Sequence, residues 1–217
     1  MSSRLFVLFA MISVTAAQQP QKKDAAEPRE IAAAKTRVVE ICTQLPGYAY
    51  YESGGSNCFH GIILETGLVA TIYYGDPVRY GLKVENKRPR RYLKAQNGLV
   101  LLEVDTALFD PIPFATVERT EQLFIVGFDK TRRYAILPTE SYSLTENEIT
   151  TQNTLRSFVP GVALFTAKGE LAGLQLGVTT PPPEFINSNF GRFLSALEVA
   201  RARSGNTWVN ISPPAPQ

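Results

Sequence analysis

Histidine is almost absent from this chain: one stands among 217 residues, at position 60. Cysteine occurs twice, as Cys42 and Cys58. So few imidazole and thiol groups do not make up the roughly four ligands of a zinc site. There is also no glycine-rich phosphate loop, no Gly-x-Gly-x-x-Gly after a strand and no calcium-loop pattern, so no cofactor is expected. Charge of one sign is lacking as well. The 22 basic and 20 acidic residues leave a formal net charge of +2, which is no electrostatic footprint for nucleic acid. Long apolar runs are missing too. Leu5 to Val14 is too short to span a bilayer and nothing later is longer, so no stable membrane span is expected. Self-similarity at a solenoid period is absent.

What is present begins with a stretch that reads as a secretory signal. Arg4 gives a modest positive start, Leu5 to Val14 an apolar core, and Val14-Thr15-Ala16-Ala17 a small-residue cleavage site; an uncleaved amphipathic anchor is the alternative. Cleavage after Ala17 would remove Arg4, the one charge there, and lower the formal charge from +2 to +1. Export, to the outside or to a periplasm, puts the two cysteines where disulfides persist. Cys42 and Cys58 then read as a bridge, contributing roughly 3 kcal/mol by loop closure, with two free thiols in an apolar interior as the bland alternative. A Cys58-x-His60 dyad is a third reading, since both side chains face one side of a strand. The segmentation expected is a signal over 1–17, a polar tether over 18–35 with a short helix from Pro28 to Lys35, a folded domain over 36–205 and a disordered tail over 206–217. That tail begins near a formal glycosylation sequon, Asn210-Ile211-Ser212, which Pro213 follows.

Proline and glycine at 15 each, with frequent Val, Ile, Tyr and Phe, favour short strands and turns over helices. Strands are expected over Thr36–Cys42, Tyr48–Glu52, Arg79–Glu85, Arg90–Lys94, Asn97–Val104, Glu121–Phe128, Arg132–Thr139 and Ile149–Leu155. Two hairpins are expected, one over Phe59–Thr71 tipped by Glu65-Thr66-Gly67 and one over Val162–Leu176 tipped by Ala167-Lys168-Gly169. Asn189–Arg203 reads as an amphipathic helix, because Phe190, Phe193, Leu194, Leu197 and Val199 recur at near-helical spacing. Ser195 and Arg201 read there as surface positions.

Ala163-Leu164-Phe165, Gly169-Glu170-Leu171 and Gly173-Leu174 spell A-L-F-x-x-x-G-E-L-x-G-L. This resembles the segment after the nucleophile in trypsin-like serine proteases, especially their high-temperature-requirement (Deg) branch. Two further segments keep the order. Gly61-Ile62-Ile63 with Val69-Ala70-Thr71 is similar to the hairpin before the family's histidine, and Gly98-Leu99-Val100-Leu101-Leu102 to the strand that its aspartate opens. The resemblance covers roughly Arg37 to Arg203. It implies an all-β fold, a double six-stranded β-barrel of the trypsin-like type with a C-terminal helix: first barrel about 36–104, second about 118–180, helix about 189–203.

Laid on these anchors, the family's nucleophile, general base and orienting carboxylate fall on Pro160, Tyr74 and Gly98. Proline has neither a nucleophilic side chain nor the N–H that an oxyanion hole needs. Tyrosine, with a reference pKa of about 10, is no general base near neutral pH. Phe158 stands where the family has glycine. The three positions are therefore a degenerate triad, no catalytic residue is expected, and the cleft would be edged by Tyr74, Phe158, Pro160 and Leu174. The reading is an exported, catalytically inactive pseudoprotease that binds an unknown protein or extended peptide by strand addition. An active serine or cysteine hydrolase using His60 with Ser157 or Cys58 is one alternative, and a structural subunit of an assembly is another.

Overall fold

The computed structural model describes residues 28–43, 58–128, 133–154, 161–179, 190–205 and 207–211. The signal segment, the expected strand Tyr48–Glu52, and Ser157, Phe158 and Pro160 lie outside them. The chain enters through helix α1 (Arg29–Lys35), opened by Pro28 and with Ile31 and Ala34 buried. Proline has no N–H to leave unpaired at a helix start. Six strands follow: β1 (Val38–Cys42), β2 (Cys58–Glu65), β3 (Leu68–Ile72), β4 (Lys83–Val84), β5 (Arg91–Lys94) and β6 (Leu99–Glu103). With a last short strand, β13 (Val209–Asn210), they form one curled sheet in the order β13-β5-β6-β3-β2-β1-β4.

The second half closes on itself. Strands β7 (Gln122–Phe128), β8 (Tyr134–Leu144), β9 (Glu148–Thr151), β10 (Ala163–Thr166), β11 (Leu171–Thr179) and β12 (Phe190–Ser195) make a closed antiparallel barrel in the order β10-β11-β12-β9-β8-β7. Helix α2 (Ala196–Gly205) follows. The expected hairpin tips are in place, with Gly67 at φ 81° and Gly169 at φ 76°, where a side chain would be strained.

Strands buried on both faces hold the two halves together. Along β2, Phe59 and Ile63 point into the first sheet's own interior, while Ile62 and Leu64 point toward the other half. In β3 and β6, Val69, Val100 and Leu102 go inward while Ala70, Ile72, Leu99 and Leu101 face the seam. On the barrel side, β7 sends Leu123 and Ile125 inward and Phe124 and Val126 to the seam; β10 does the same with Leu164 and with Ala163 and Phe165. An unbroken apolar run in the sequence thus becomes two cores through the two-residue period of a strand.

Three expectations are corrected. Phe190–Ser195 is strand β12 rather than the first half of a helix, paired with β9 and β11; the long antiparallel ladder and burial on both sides override the near-helical spacing. Only Lys83–Val84 of the expected strand Arg79–Glu85 is extended. Upstream, the Asp76 carboxylate accepts the N–H of Val78 (2.8 Å) and of Arg79 (3.1 Å), which turns the chain after Asp76-Pro77. The first part of the tail is ordered: Val209 pairs with Tyr92, Asn210 with Arg91, and the Ile211 N–H donates to the Arg90 carbonyl at 2.8 Å. Trp208 packs against the seam core, with the Arg91 guanidinium 5.0 Å from its ring.

Cys42 and Cys58 face each other in the β1–β2 register and are bridged. Reducing the bridge, or replacing both cysteines by serine, is expected to lower stability by roughly 3 kcal/mol in chemical denaturation. Trp208→Ala is expected to cost about 1–2 kcal/mol in the same assay. Trp208 is the only tryptophan, so its fluorescence reports whether β13 stays docked: a red shift before the main transition means that the strand detaches first.

Candidate functional site

The turn after β3 and the start of β6 bring two of the three predicted positions together. The Tyr73 N–H donates to the Gly98 carbonyl at 2.7 Å, tying the exit of β3 to a 3-10 turn at Gln96–Gly98. Gly98 sits at φ 74°, and a Cβ there would lie 2.6 Å from Cε1 of Tyr74. The phenol ring of Tyr74 therefore rests on Gly98, in the space that a side chain at position 98 would need. Tyr74 as a whole remains 44 % exposed. Its main chain is held by Lys94, whose Nζ donates to the carbonyls of Tyr74 (3.4 Å) and Gly75 (3.2 Å). Asn97, next to the predicted position, is exposed and left-handed at φ 57°.

Pro160 lies outside the described residues, but its neighbour Gly161 does not. Gly161 has φ 81°, and its N–H donates to the Gln175 carbonyl at 3.2 Å. A Cβ there would collide with the His60 carbonyl oxygen and lie 2.7 Å from Oγ1 of Thr71. The Thr71 hydroxyl in turn donates to that carbonyl at 2.6 Å. The turn of the second barrel thus presses on β2 and β3 three residues before Tyr74, a distance on the order of 10 Å along a strand.

Leu174 is not a cleft residue. It is fully buried in the seam core, paired across β10 and β12 with Ala163 and Leu194. Among the described residues, Gln175 is the last of β11 whose backbone bonds to the β10 side, through its N–H to the Val162 carbonyl at 2.8 Å. Beyond it, Gly177, Val178 and Thr179 pair only with β12 among the described residues, and Val178 is 55 % exposed. Gln175 itself is fully buried: its Nε2 donates to Oγ1 of Thr154 at 2.7 Å, and its Oε1 has no partner among the described residues.

One ion pair lies on the barrel strands that follow in the sheet order. Arg192 on β12 makes a two-pronged ion pair with Glu148 on β9, at 2.6 to 3.0 Å. Hydrogen bonding to Glu148 raises the Arg192 pKa above its ordinary value against the opposing effect of burial, with a smaller electrostatic contribution from the Tyr74 phenol. Neither member of this pair stands out in the sequence; both come from strands whose pairing only the barrel defines.

The remaining sequence candidates sit elsewhere. Cys58 is bridged to Cys42 and so has no thiolate to offer, which removes the cysteine-nucleophile reading and the Cys58–His60 dyad. The same bridge consumes both sulfurs of the cluster Glu40, Cys42 and Cys58, leaving no thiolate ligands for a metal ion. His60 is 3 % exposed, and its Nε2 accepts the Phe128 N–H at 2.6 Å. Burial pushes its pKa down to about 4.

A carboxylate cannot be restored at position 98 without moving Tyr74. Gly98→Asp is expected to lose about 2–4 kcal/mol of stability, from the left-handed backbone and from overlap with the ring. Adding Tyr74→Ala should recover the overlap part. A double-mutant cycle in urea is then expected to give a coupling of roughly 1–2 kcal/mol, whereas additivity would mean that the ring does not rest on the glycine.

No family model and no curated protein sequence matches the chain. Solved structures do. The active form of the Rv3671c protease from M. tuberculosis superposes with a TM-score of 0.63 at 16% identity, covering 94% of this chain and 96% of that one. The serine endoprotease from Yersinia pestis gives 0.61 at 15% identity over 84% of this chain and 68% of that one. The MamO protease domain from Magnetospirillum magneticum gives 0.55 at 17% identity over 77% and 96%. The closed barrel, the curled sheet packed against it and the C-terminal helix agree with these likenesses: the chain has the trypsin-like double-barrel fold of the serine proteases.

Proposed function

We propose that this chain is a pseudoprotease, a catalytically inactive protein on the trypsin-like fold that works in an exported compartment by binding an extended peptide or protein segment. The observation that carries the loss of catalysis is the Tyr74 ring packed onto Gly98. A base and the carboxylate that orients it must both be present and in contact. Here the two positions have become a ring and the gap that it fills. The sequence adds Pro160 at the nucleophile position. Nor does His60 replace the base: it is buried, its Nε2 is already occupied by the Phe128 N–H, and burial disfavours the imidazolium that a general base must become.

The binding half of the reading rests on β11. An extended segment laid along Gly177–Thr179 would meet a strand edge that has no β10 partner among the described residues, with the exposed Val178 and Tyr74 as apolar contacts. Strand addition recovers main-chain hydrogen bonds on such an edge and reads sequence through alternate side chains. Export is supported by the disulfide and by the signal-like first 17 residues.

The purified chain is expected neither to react with a fluorophosphonate probe nor to cleave casein, beside an active trypsin-like control. Stoichiometric labelling would sink the reading, and the labelled residue would mark the true nucleophile. On an array of extended peptides, Tyr74→Ala is expected to weaken the best binders by roughly tenfold, about 1.4 kcal/mol. An unchanged profile would remove Tyr74 from the binding surface.

A further inference from the structure

We propose that His60 is an acid-operated latch between the two halves of the fold, set beside the Gly161 turn. His60 lies on β2 one step before Ile62 and Leu64, at the end of the row that faces the second barrel. Its Nε2 accepts the Phe128 N–H at 2.6 Å, so the ring hydrogen of the neutral form sits on Nδ1. That nitrogen is buried and has no partner among the described residues. The imidazole stacks on Phe128 with ring centres 5.4 Å apart and planes 17° from parallel. Phe128 in turn meets Tyr134 at 4.6 Å, and the Tyr134 hydroxyl donates to the Val38 carbonyl at 3.5 Å. One side chain on β2, one on β7 and one on β8 thus form a continuous stack across the seam. The His60 carbonyl takes the Thr71 hydroxyl and lies against Gly161.

Protonation changes what this contact can do. Both nitrogens of an imidazolium are donors, so Nε2 can no longer accept the Phe128 N–H, and two donors would point at each other in a dry seam. The end of β7 must then part from β2. The groups that could offset the charge are few. Glu40 stands directly across on β1, and the Glu85 N–H donates to the Glu40 carbonyl. Lys35 at the end of α1 lies 5.8 Å over the Tyr134 ring. Tyr134 on β8 follows Arg133, and burial raises its phenol pKa. On β2 itself Glu65 pairs with Arg203, and Cys58 is bridged. Strands β3, β7 and β10 bring no titratable side chain; Asp129 to Arg132, which follow Phe128, lie outside the described residues.

The folded-state pKa of about 4 lies below the ordinary value of 6.5. Between these values the unfolded chain binds a proton that the folded chain refuses. The stability tied to His60 is therefore complete above pH 6.5 and is lost as pH falls toward 4. This device does not depend on whether the cleft binds a peptide.

Because the chain has a single histidine, its imidazole Cε1–H resonance is unambiguous. The expected midpoint is near pH 4, with nitrogen shifts of the Nδ1-protonated tautomer above it. Hydrogen exchange, corrected for intrinsic rates, should show the Phe128 amide losing protection by up to roughly tenfold per pH unit as pH falls from 6.5 toward that midpoint and levelling off below it, while amides of Leu101 and Leu164 stay protected. His60→Gln keeps an acceptor that does not titrate and should make Phe128 protection independent of pH. An imidazole titrating near 6.5, loss of Phe128 protection only together with Leu101 and Leu164, or the same midpoint in H60Q would each overturn the latch. Should H60Q fail to fold, the imidazole and amide signals of the unaltered chain decide.

Discussion

The whole molecule depends on strands that are buried on both faces. A strand in an ordinary sandwich gives one face to water and shows it as polar alternation. Here β2, β3, β6, β7 and β10 give one face to their own interior and the other to the opposite half, so three cores are stitched together by the same few backbones. At roughly 1.5–3 kcal/mol for each fully buried large side chain, the seam is as much a core as either interior. The two halves cannot drift apart without exposing Phe124, Phe165, Leu101 and Leu174 together.

This rigidity places Tyr74, Gly98 and the Gly161 turn. Tyr74 leaves β3 where the seam ends, and Gly98 enters β6 beside it, because β3 and β6 pair from Leu68 with Glu103 to Ile72 with Leu99. The Gly161 turn comes from the other half but has no freedom of its own: β10 fixes it from one side, and the backbone of His60 blocks it from the other. Positions that are far apart in the chain meet because the seam has no slack. A glycine at 98 and a ring at 74 are complementary in the same physical sense as a core pair. The larger group occupies what the smaller one vacates, and a void there would cost dispersion contacts.

Much of this was legible residue by residue. The hairpins at Glu65-Thr66-Gly67 and Ala167-Lys168-Gly169 follow from glycine at a positive φ between apolar runs, and the resemblance to the protease family implied that Tyr74 and Gly98 stand together. The misreadings have local causes. Phe190–Ser195 carries apolar residues at a spacing compatible with either period, and the decision came from ladders to β9 and β11. A signal was nevertheless there. Ser195-Ala196-Leu197-Glu198 is a capping-box pattern, and Ser195, taken for a surface residue, is buried with its Oγ accepting the Leu197 N–H at 3.3 Å. The helix starts where that pattern says it should. Trp208-Val209-Asn210 sits amid polar and proline-rich sequence, and it is ordered only because β5 offers an open edge and Arg91 a partner for the ring.

What the sequence determined by itself is local: where the glycine turns of the two hairpins fall, and which chemical groups each position has to offer. These follow from backbone sterics and from the chemistry that each side chain can or cannot perform, and neither needs a partner. The tertiary structure alone decided which face of each strand meets which core, and so that Leu174 is packing, whereas Gly177, Val178 and Thr179 pair only with β12 among the described residues. It also decided that Cys58 is spent in a bridge and that His60 is an acceptor for a main-chain N–H from the other half. Those properties belong to pairs of distant residues, and burial and hydrogen bonding between distant residues exist only once the chain has closed the space between them.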